Sequence, residues 1–122
     1  VPGDHGTTYG GNPFATAAVS AVYDIFEEEH ITDHVKEVGA YLYEKLEELK
    51  AEYSQITDHR GLGLMQGLEF SGPVGDIIVR AMDKGLILMS AGTNVLRFVP
   101  PLVITKEHVD EMCGILRSVL TA

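Results

Sequence analysis

Residues 56–70, with the sequence ITDHRGLGLMQGLEF, decide the type of fold. Before this stretch, apolar residues recur every three or four positions, and within it that helical spacing is lost. Residues 56–60 and 64–70 are predicted strands, and Gly61 and Gly63 between them permit a tight turn. The stretch therefore predicts a hairpin, and with it an antiparallel sheet.

Two helices are predicted on the N-terminal side of this hairpin. Asn12 can cap a helix that has Pro13 at its first position and runs to about residue 29. Thr32 is the predicted cap of the second helix. That helix carries an apolar stripe with steps of three or four throughout, formed by Val35, Val38, Leu42, Leu46, Leu49 and Tyr53.

On the C-terminal side, the pattern predicts a short helix, two strands and a last helix. The short helix contains residues 77–82, and Gly85 ends it. The strands are residues 86–89 and 95–99, and Thr105 caps the last helix. The order α-α-β-β-α-β-β-α predicts an α+β fold with a small, mostly antiparallel sheet and helices packed on one face.

The composition excludes several classes of partner. The chain has 122 residues and a net charge of −9, which argues against nucleic acid because basic clusters bind the phosphate backbone. No apolar run reaches the roughly 20 residues of a membrane span. The single cysteine, Cys113, has no internal disulfide partner, so we expect a cytoplasmic location. The chain begins at Val1 rather than at methionine, so we also expect it to be part of a longer protein.

Most of the negative charge is concentrated in residues 24–52. These charges alternate with the apolar stripe, which is typical of a solvated helical face. A docking surface for a basic partner is the alternative, and no other feature of the sequence favours it.

The segment of residues 3–13, GDHGTTYGGNP, is the first candidate site. Its glycines allow a ligand to approach the backbone, Thr7 and Thr8 offer hydroxyl groups, and a helix N-terminus follows. These features suit a phosphate, although the pattern is neither the Walker motif nor the dinucleotide fingerprint. A plain glycine-rich turn is the structural alternative. The functional alternative to an enzyme is a stand-alone module that binds a phosphorylated metabolite.

Arg97 is the second candidate. The two-residue period of a strand places it on one face with Val95 and Val99, so we expect it to be partly buried. A buried guanidinium needs an anion, because leaving it unpaired is costly. A structural salt bridge, with Glu69 as one possible partner, and a clamp for a substrate carboxylate both satisfy this need.

No metal site or catalytic residue is predicted. His30 and His34 have the i, i+4 spacing of a metal site, but the predicted helix start at Thr32 separates them. A lysine that forms a Schiff base needs burial or a cationic neighbour to lower its pKa, and no lysine of this chain lies where we expect burial.

Three motifs occur in order along the chain: HGTTYGGNP at 5–13, RGLGLM at 60–65 and NVLRFVPPL at 94–102. Together they resemble the C-terminal part of the class III aminotransferases, which use pyridoxal 5'-phosphate on the type I fold. The resemblance covers essentially the whole chain. It is nearest to members that take the amino group from acetylornithine or ornithine.

The resemblance implies a role for each candidate residue. Thr8 corresponds to the residue that binds the cofactor phosphate across the dimer interface, and Thr7 lies near the substrate in the same composite site. Arg97 corresponds to an arginine near the substrate carboxylate. The implied organisation is a cofactor-phosphate loop at 1–12 and a C-terminal α+β domain at 13–122. The implied reaction, in a homodimer, moves an amino group to 2-oxoglutarate in arginine biosynthesis.

The resemblance also implies what this chain lacks. In the family, the Schiff-base lysine, the aspartate at the pyridine nitrogen and the aromatic ring that stacks on the cofactor all lie upstream of the Gly-Thr-Thr segment. We therefore expect the chain alone to be inactive.

Overall fold

The computed structural model describes Gly3 and residues 6–121. Four helices and four strands lie in this part of the chain, and none of these helices is long and apolar enough to cross a lipid bilayer. Their bounds are α1 Pro13–Glu28, α2 Ile31–Glu52, β1 Ile56–Leu62, β2 Met65–Phe70, α3 Gly75–Asp83, β3 Met89–Ala91, β4 Val95–Phe98 and α4 Lys106–Leu120.

The chain divides into two compact units, Val1–Thr32 and Asp33–Ala122. The first contains the glycine-rich segment and α1. The second contains the sheet, α3, α4 and all of α2 except its first two residues. Each unit is described by itself.

Helix α1 begins as predicted. Asn12 is its N-cap and accepts a hydrogen bond from the Ala15 backbone N–H at 3.0 Å, while Pro13 occupies the first turn, where its missing N–H costs nothing. None of its described residues is buried, and Phe14 is 86% exposed. The apolar spacing that predicts this helix therefore does not place a side chain in the core.

The predicted cap of α2 is wrong. The helix starts at Ile31, so Thr32 lies inside it rather than before it. Glu29 and His30 separate the two helices, and His30 has a positive φ of 49°, a left-handed conformation that histidine tolerates better than most residues. α2 begins directly after this two-residue turn.

The sheet has the order β1-β2-β4-β3, and every neighbouring pair of its strands is antiparallel. The hairpin of β1 and β2 is the one predicted from residues 56–70, and it turns at Gly63 with a φ of +56°. The hairpin predicted from residues 56–70 is therefore confirmed.

The core lies on one face of this sheet. Alternation along the strands directs Leu68 and Phe70 of β2, and Leu96 and Phe98 of β4, to the same side. Helices α2, α3 and α4 supply most of the other buried side chains. These include Leu42, Leu46, Leu49, Ile77, Ala81, Val109, Cys113, Leu116 and Val119. The predicted α+β fold, with helices on one face of a small antiparallel sheet, is confirmed.

The predicted strand at residues 86–89 is misplaced, since β3 is Met89–Ala91. The Leu86 N–H donates back to the Ala81 carbonyl at 2.9 Å, which keeps this residue in the connection that ends α3. Pairing with β4 starts at Met89, which lies opposite Arg97. Because β4 stops at Phe98, just before Pro100, residues 86 and 87 have no strand to pair with.

Candidate functional site

Arg97 stands in a row of residues across the sheet. It lies in β4 directly opposite Met89 of β3 and Gly67 of β2, and Gly67 lies opposite Arg60 of β1. Residues that face each other in this way point to the same side of a sheet. These side chains belong to the face that α2, α3 and α4 do not cover, because the adjacent residues Leu96 and Phe98 point into the core.

The Arg97 guanidinium has no carboxylate partner among the described residues. Its Nη2 donates to the Met89 sulfur at 3.8 Å, a weak contact. Its Nε is buried and has no hydrogen-bond partner. Part of the charged group is therefore desolvated without compensation, a condition that a bound anion relieves.

The salt bridge considered between Arg97 and Glu69 does not form. Glu69 is held by Arg60, whose Nη1 donates to Oε2 at 2.7 Å, and by Asn94, whose Nδ2 donates to Oε1 at 3.4 Å. Arg60 Nη1 also lies 2.7 Å from an Asp58 oxygen, and this hydrogen bond holds the Asp58 pKa below its usual value. Arg60 is thus paired with carboxylates, whereas Arg97 has no carboxylate partner among the described residues.

An apolar cavity of about 330 Å³ adjoins Arg97. It lies where β3 and β4 meet α4, and Arg97 and His108 are its only basic lining residues in the described part of the chain. Its other walls come from the segment before β3, the Pro100–Pro101 pair and one side of α4. An arginine beside an apolar space is suited to a ligand that combines a carboxylate with a carbon chain.

The two threonines precede helix α1 in the first unit, and Arg97 belongs to the second. The Thr7 hydroxyl accepts a hydrogen bond from the Tyr9 N–H at 3.3 Å, so it stabilises the turn. Thr8 is exposed, and its hydroxyl has no hydrogen-bond partner among the described residues. Residues 1, 2, 4 and 5 of the segment lie outside the described part of the chain.

No metal-binding cluster is found among Gly3 and residues 6–121. His30 lies between the helices, and the Nε2 of His34 lies 2.8 Å from the Ile104 carbonyl oxygen, so the two histidines do not form a pair on one helix face. The lysines are exposed or half-buried, as expected. Lys45 and Lys106 pair with Glu48 and Glu37, which raises the pKa of both ammonium groups, the opposite of what a Schiff-base lysine needs.

Sequence reasoning missed one buried polar network. His59 Nδ1 lies 2.6 Å from Glu47, and its Nε2 lies 3.1 Å from the buried Gln66, which donates to the Gly63 carbonyl at 2.7 Å. The signal was present, because the two-residue period puts Gln66 on the inward face with Leu68 and Phe70. The network joins α2 to the hairpin turn and lies away from Arg97.

The chemistry available in this chain is therefore anion binding. Among Gly3 and residues 6–121, the Arg97 guanidinium has no carboxylate partner, and the hydroxyl of Thr8, within the glycine-rich segment, has no hydrogen-bond partner.

Comparison with known proteins agrees with this picture. The family model described as aminotransferase class III matches residues 1–120. An acetylornithine aminotransferase of Methanocaldococcus jannaschii is 46% identical over 98% of this chain and 30% of its own length. One from Gloeobacter violaceus is 48% identical over 97% and 30%. The chain thus spans about 30% of the length of these relatives.

Solved structures show the same fold. The acetylornithine aminotransferase of Elizabethkingia anophelis superimposes with a TM-score of 0.86 at 28% identity, over 99% of this chain and 31% of the other. The Plasmodium falciparum ornithine delta-aminotransferase gives 0.86 at 33% identity, over 99% and 32%. The match extends over nearly every residue and includes all three motifs. This chain belongs to the class III aminotransferase family.

Proposed function

We propose that this chain is the C-terminal part of a pyridoxal-phosphate-dependent aminotransferase. The whole protein transfers the amino group of N-acetylornithine, or of ornithine, to 2-oxoglutarate in arginine biosynthesis. The observation that carries this proposal is the unpaired Arg97, since a buried guanidinium nitrogen without a partner calls for an anion. Substrates of this reaction carry carboxylates, and relatives named acetylornithine aminotransferase support the choice of amino donor.

In the proposed reaction Arg97 binds and orients a substrate carboxylate. Arginine presents two parallel N–H donors to the two carboxylate oxygens, which fixes the direction of the substrate as well as its position. The pairing of β4 with β3 and the contact with the Met89 sulfur limit the positions that the guanidinium can adopt. Arg97 therefore decides which end of the substrate faces the reacting centre.

Thr8 fits the cofactor phosphate. Its exposed hydroxyl is not engaged with any described residue, so it is free to donate a hydrogen bond to a phosphate oxygen. Thr7 is assigned to the substrate side of the same site. Residues 1–12 are then the cofactor-phosphate loop and residues 13–122 the C-terminal domain. Pyridoxal phosphate supplies the electron sink of the reaction when it is bound.

We assign the whole protein a homodimeric, cytoplasmic form. The apolar residues of α1 support an assembly in which this helix is covered, because Phe14, Val19 and Tyr23 are 86%, 69% and 66% exposed. The single buried cysteine is consistent with a reducing compartment. Sedimentation of the whole protein at micromolar concentration measures its oligomeric state, and a monomer contradicts the dimer.

Inactivity of the isolated chain is part of the proposal. None of its lysines is buried, and the ion pairs with Glu48 and Glu37 raise the pKa of Lys45 and Lys106, so no group here is suited to form the Schiff base. Borohydride reduction with pyridoxal phosphate is expected to label no single lysine stoichiometrically. Selective labelling of one lysine, or tight binding of pyridoxal phosphate by this chain alone, favours a stand-alone binding module instead.

The deciding experiment is kinetic and uses the whole protein. We expect turnover of N-acetylornithine with 2-oxoglutarate, and we expect Arg97→Gln to raise the KM for 2-oxoglutarate by about 10- to 100-fold, because a charge-assisted hydrogen bond contributes roughly 1.5–3 kcal/mol. Arg80→Gln is the control, since in the described part of the chain Arg80 hydrogen-bonds only to the Asp76 carbonyl within its own helix, at 3.4 Å. An unchanged KM for Arg97→Gln contradicts the assignment.

A further inference from the structure

Glu69 and Arg97 lie close enough to pair, yet they do not. Glu69 lies opposite Val95 of β4, and Arg97 follows two residues later on the same face. Residues in this diagonal relation are about 7–8 Å apart, within reach of two long side chains. Gly67, which lies opposite Arg97 and two residues before Glu69 in β2, has no side chain to separate the two.

Arg60 accounts for the missing pair. It lies in β1, on the other side of β2 from Arg97 and opposite Gly67, and its Nη1 donates a hydrogen bond to Glu69 Oε2 at 2.7 Å. Asn94 takes up the second oxygen, Oε1, at 3.4 Å. Each Glu69 oxygen thus accepts a hydrogen bond from a residue other than Arg97, and the shorter of the two holds the carboxylate towards Arg60.

We propose that Arg60 is a positioning residue that holds Glu69 and so keeps the Arg97 guanidinium free for a carboxylate ligand. The identity of this ligand as the substrate rests on the proposed function. The competition between the two arginines for Glu69 is independent of it.

The charges on this face explain what happens without Arg60. Asp58 lies opposite Glu69, and Arg60 at present contacts both carboxylates at 2.7 Å. Once Arg60 is replaced by a neutral residue, two like charges face each other, which is unfavourable. Arg97 is the cation within reach on the same face, so Glu69 turns to it and becomes an internal competitor of the ligand.

The first test follows the Arg97 Nε–H signal by NMR in this chain and needs no enzymatic activity. Arg60→Gln is expected to shift this signal, as a carboxylate now reaches the guanidinium. Adding Glu69→Gln to that variant is expected to return the signal to its original position, while Glu69→Gln alone leaves it unmoved. Arg117→Gln is the matched control, because it removes an arginine from another pair, with Glu52 at 2.8 Å on the helical layer.

The second test measures kinetics with the whole protein. Arg60→Gln is expected to raise the KM for 2-oxoglutarate by about two- to fivefold, the effect of one partly exposed ion pair. The double variant with Glu69→Gln is expected to recover the original KM, which simple destabilisation by Arg60→Gln does not predict. Arg117→Gln is expected to leave the KM unchanged.

The outcomes separate this inference from the proposed function. An unmoved Arg97 signal in Arg60→Gln overturns the inference, and so does a raised KM that Glu69→Gln does not restore. If the signal moves and recovers but the whole protein transfers no amino group, the competition for Glu69 stands and the proposed function fails.

Discussion

Gly39 in α2 offers the sharpest test of the structure, because sequence and structure predict opposite results for its replacement by alanine. On helix propensity alone, alanine is favoured over glycine by about 1 kcal/mol. In the fold, however, a Cβ at position 39 lies 2.7 Å from the Gly63 carbonyl carbon, 2.8 Å from its Cα and 2.9 Å from its oxygen. Because these are backbone atoms, the steric clash can be relieved only if the hairpin turn moves.

The turn has little freedom to move. Gly63 holds a left-handed φ of +56°, and its carbonyl accepts the Gln66 side-chain amide at 2.7 Å. Displacing Gly63 disturbs Gln66, which also contacts the buried His59 at 3.1 Å. Overpacking of this kind costs about 1–3 kcal/mol. After subtraction of the propensity gain, we expect Gly39→Ala to lower the free energy of unfolding by up to about 2 kcal/mol.

Gly114→Ala is the matched control in the same chain. Gly114 is also helical, in α4, and a Cβ there meets nothing within 4 Å. This variant is expected to gain about 0.5–1 kcal/mol, the propensity term alone. Urea unfolding followed by circular dichroism measures both. The reasoning is refuted if Gly39→Ala is stabilised to the same extent as Gly114→Ala, since the contact with the hairpin then costs nothing.

Three further predictions concern the site and the core. Thr8→Ala in the whole protein is expected to weaken pyridoxal phosphate binding about tenfold or more, because a hydrogen bond to a charged phosphate is lost. Spectrophotometric titration measures the affinity, and Thr16→Ala is the control, since the Thr16 hydroxyl donates to the backbone at the start of its own helix. Equal affinities of the two variants contradict the assignment. Leu116→Ala is expected to cost about 2–5 kcal/mol in urea unfolding, since this side chain is 0% exposed, and a loss below 1 kcal/mol contradicts its place in the core. Burial raises the pKa of the Cys113 thiol to about 11, above the value of 9.0 expected without burial. The unfolded chain therefore loses this proton first, and the free energy of unfolding falls as the pH rises from 9 to 11. Cys113→Ala is expected to show a smaller fall, and an equal dependence of the unfolding free energy on pH in both proteins contradicts this pKa.

Local signals predicted most elements correctly because they depend on neighbours in sequence. Asn12 caps α1 through a contact three residues away, and the stripe from Val38 to Leu49 defines α2 by its spacing. For β3, where the prediction failed, a more distant contact decided. The start of β3 depends on pairing with Arg97, eight residues away, and not on the apolar character of residues 86–88.

The candidate site divides in the same way. Motif order was enough to single out Thr7, Thr8 and Arg97. The salt bridge between Arg97 and Glu69 was one of two alternatives, and the sequence could not exclude it, because alternation along a strand tells which face a side chain occupies but not which neighbour it chooses. That choice depends on the strand order β1-β2-β4-β3, which brings Arg60 to one side of Glu69 and Arg97 to the other.

By itself, the sequence determined the α+β class, the hairpin at residues 56–70, the apolar faces of α2 and α4 and the family. Each of these follows from periodicity, turn residues or a linear motif, which need no knowledge of the packed chain. Only the tertiary structure decided that a Cβ at position 39 meets the Gly63 backbone, that Glu69 pairs with Arg60 and that Arg97 has no carboxylate partner among Gly3 and residues 6–121. These facts depend on which atoms meet across strands and layers, and distances between residues far apart in sequence are set by packing alone.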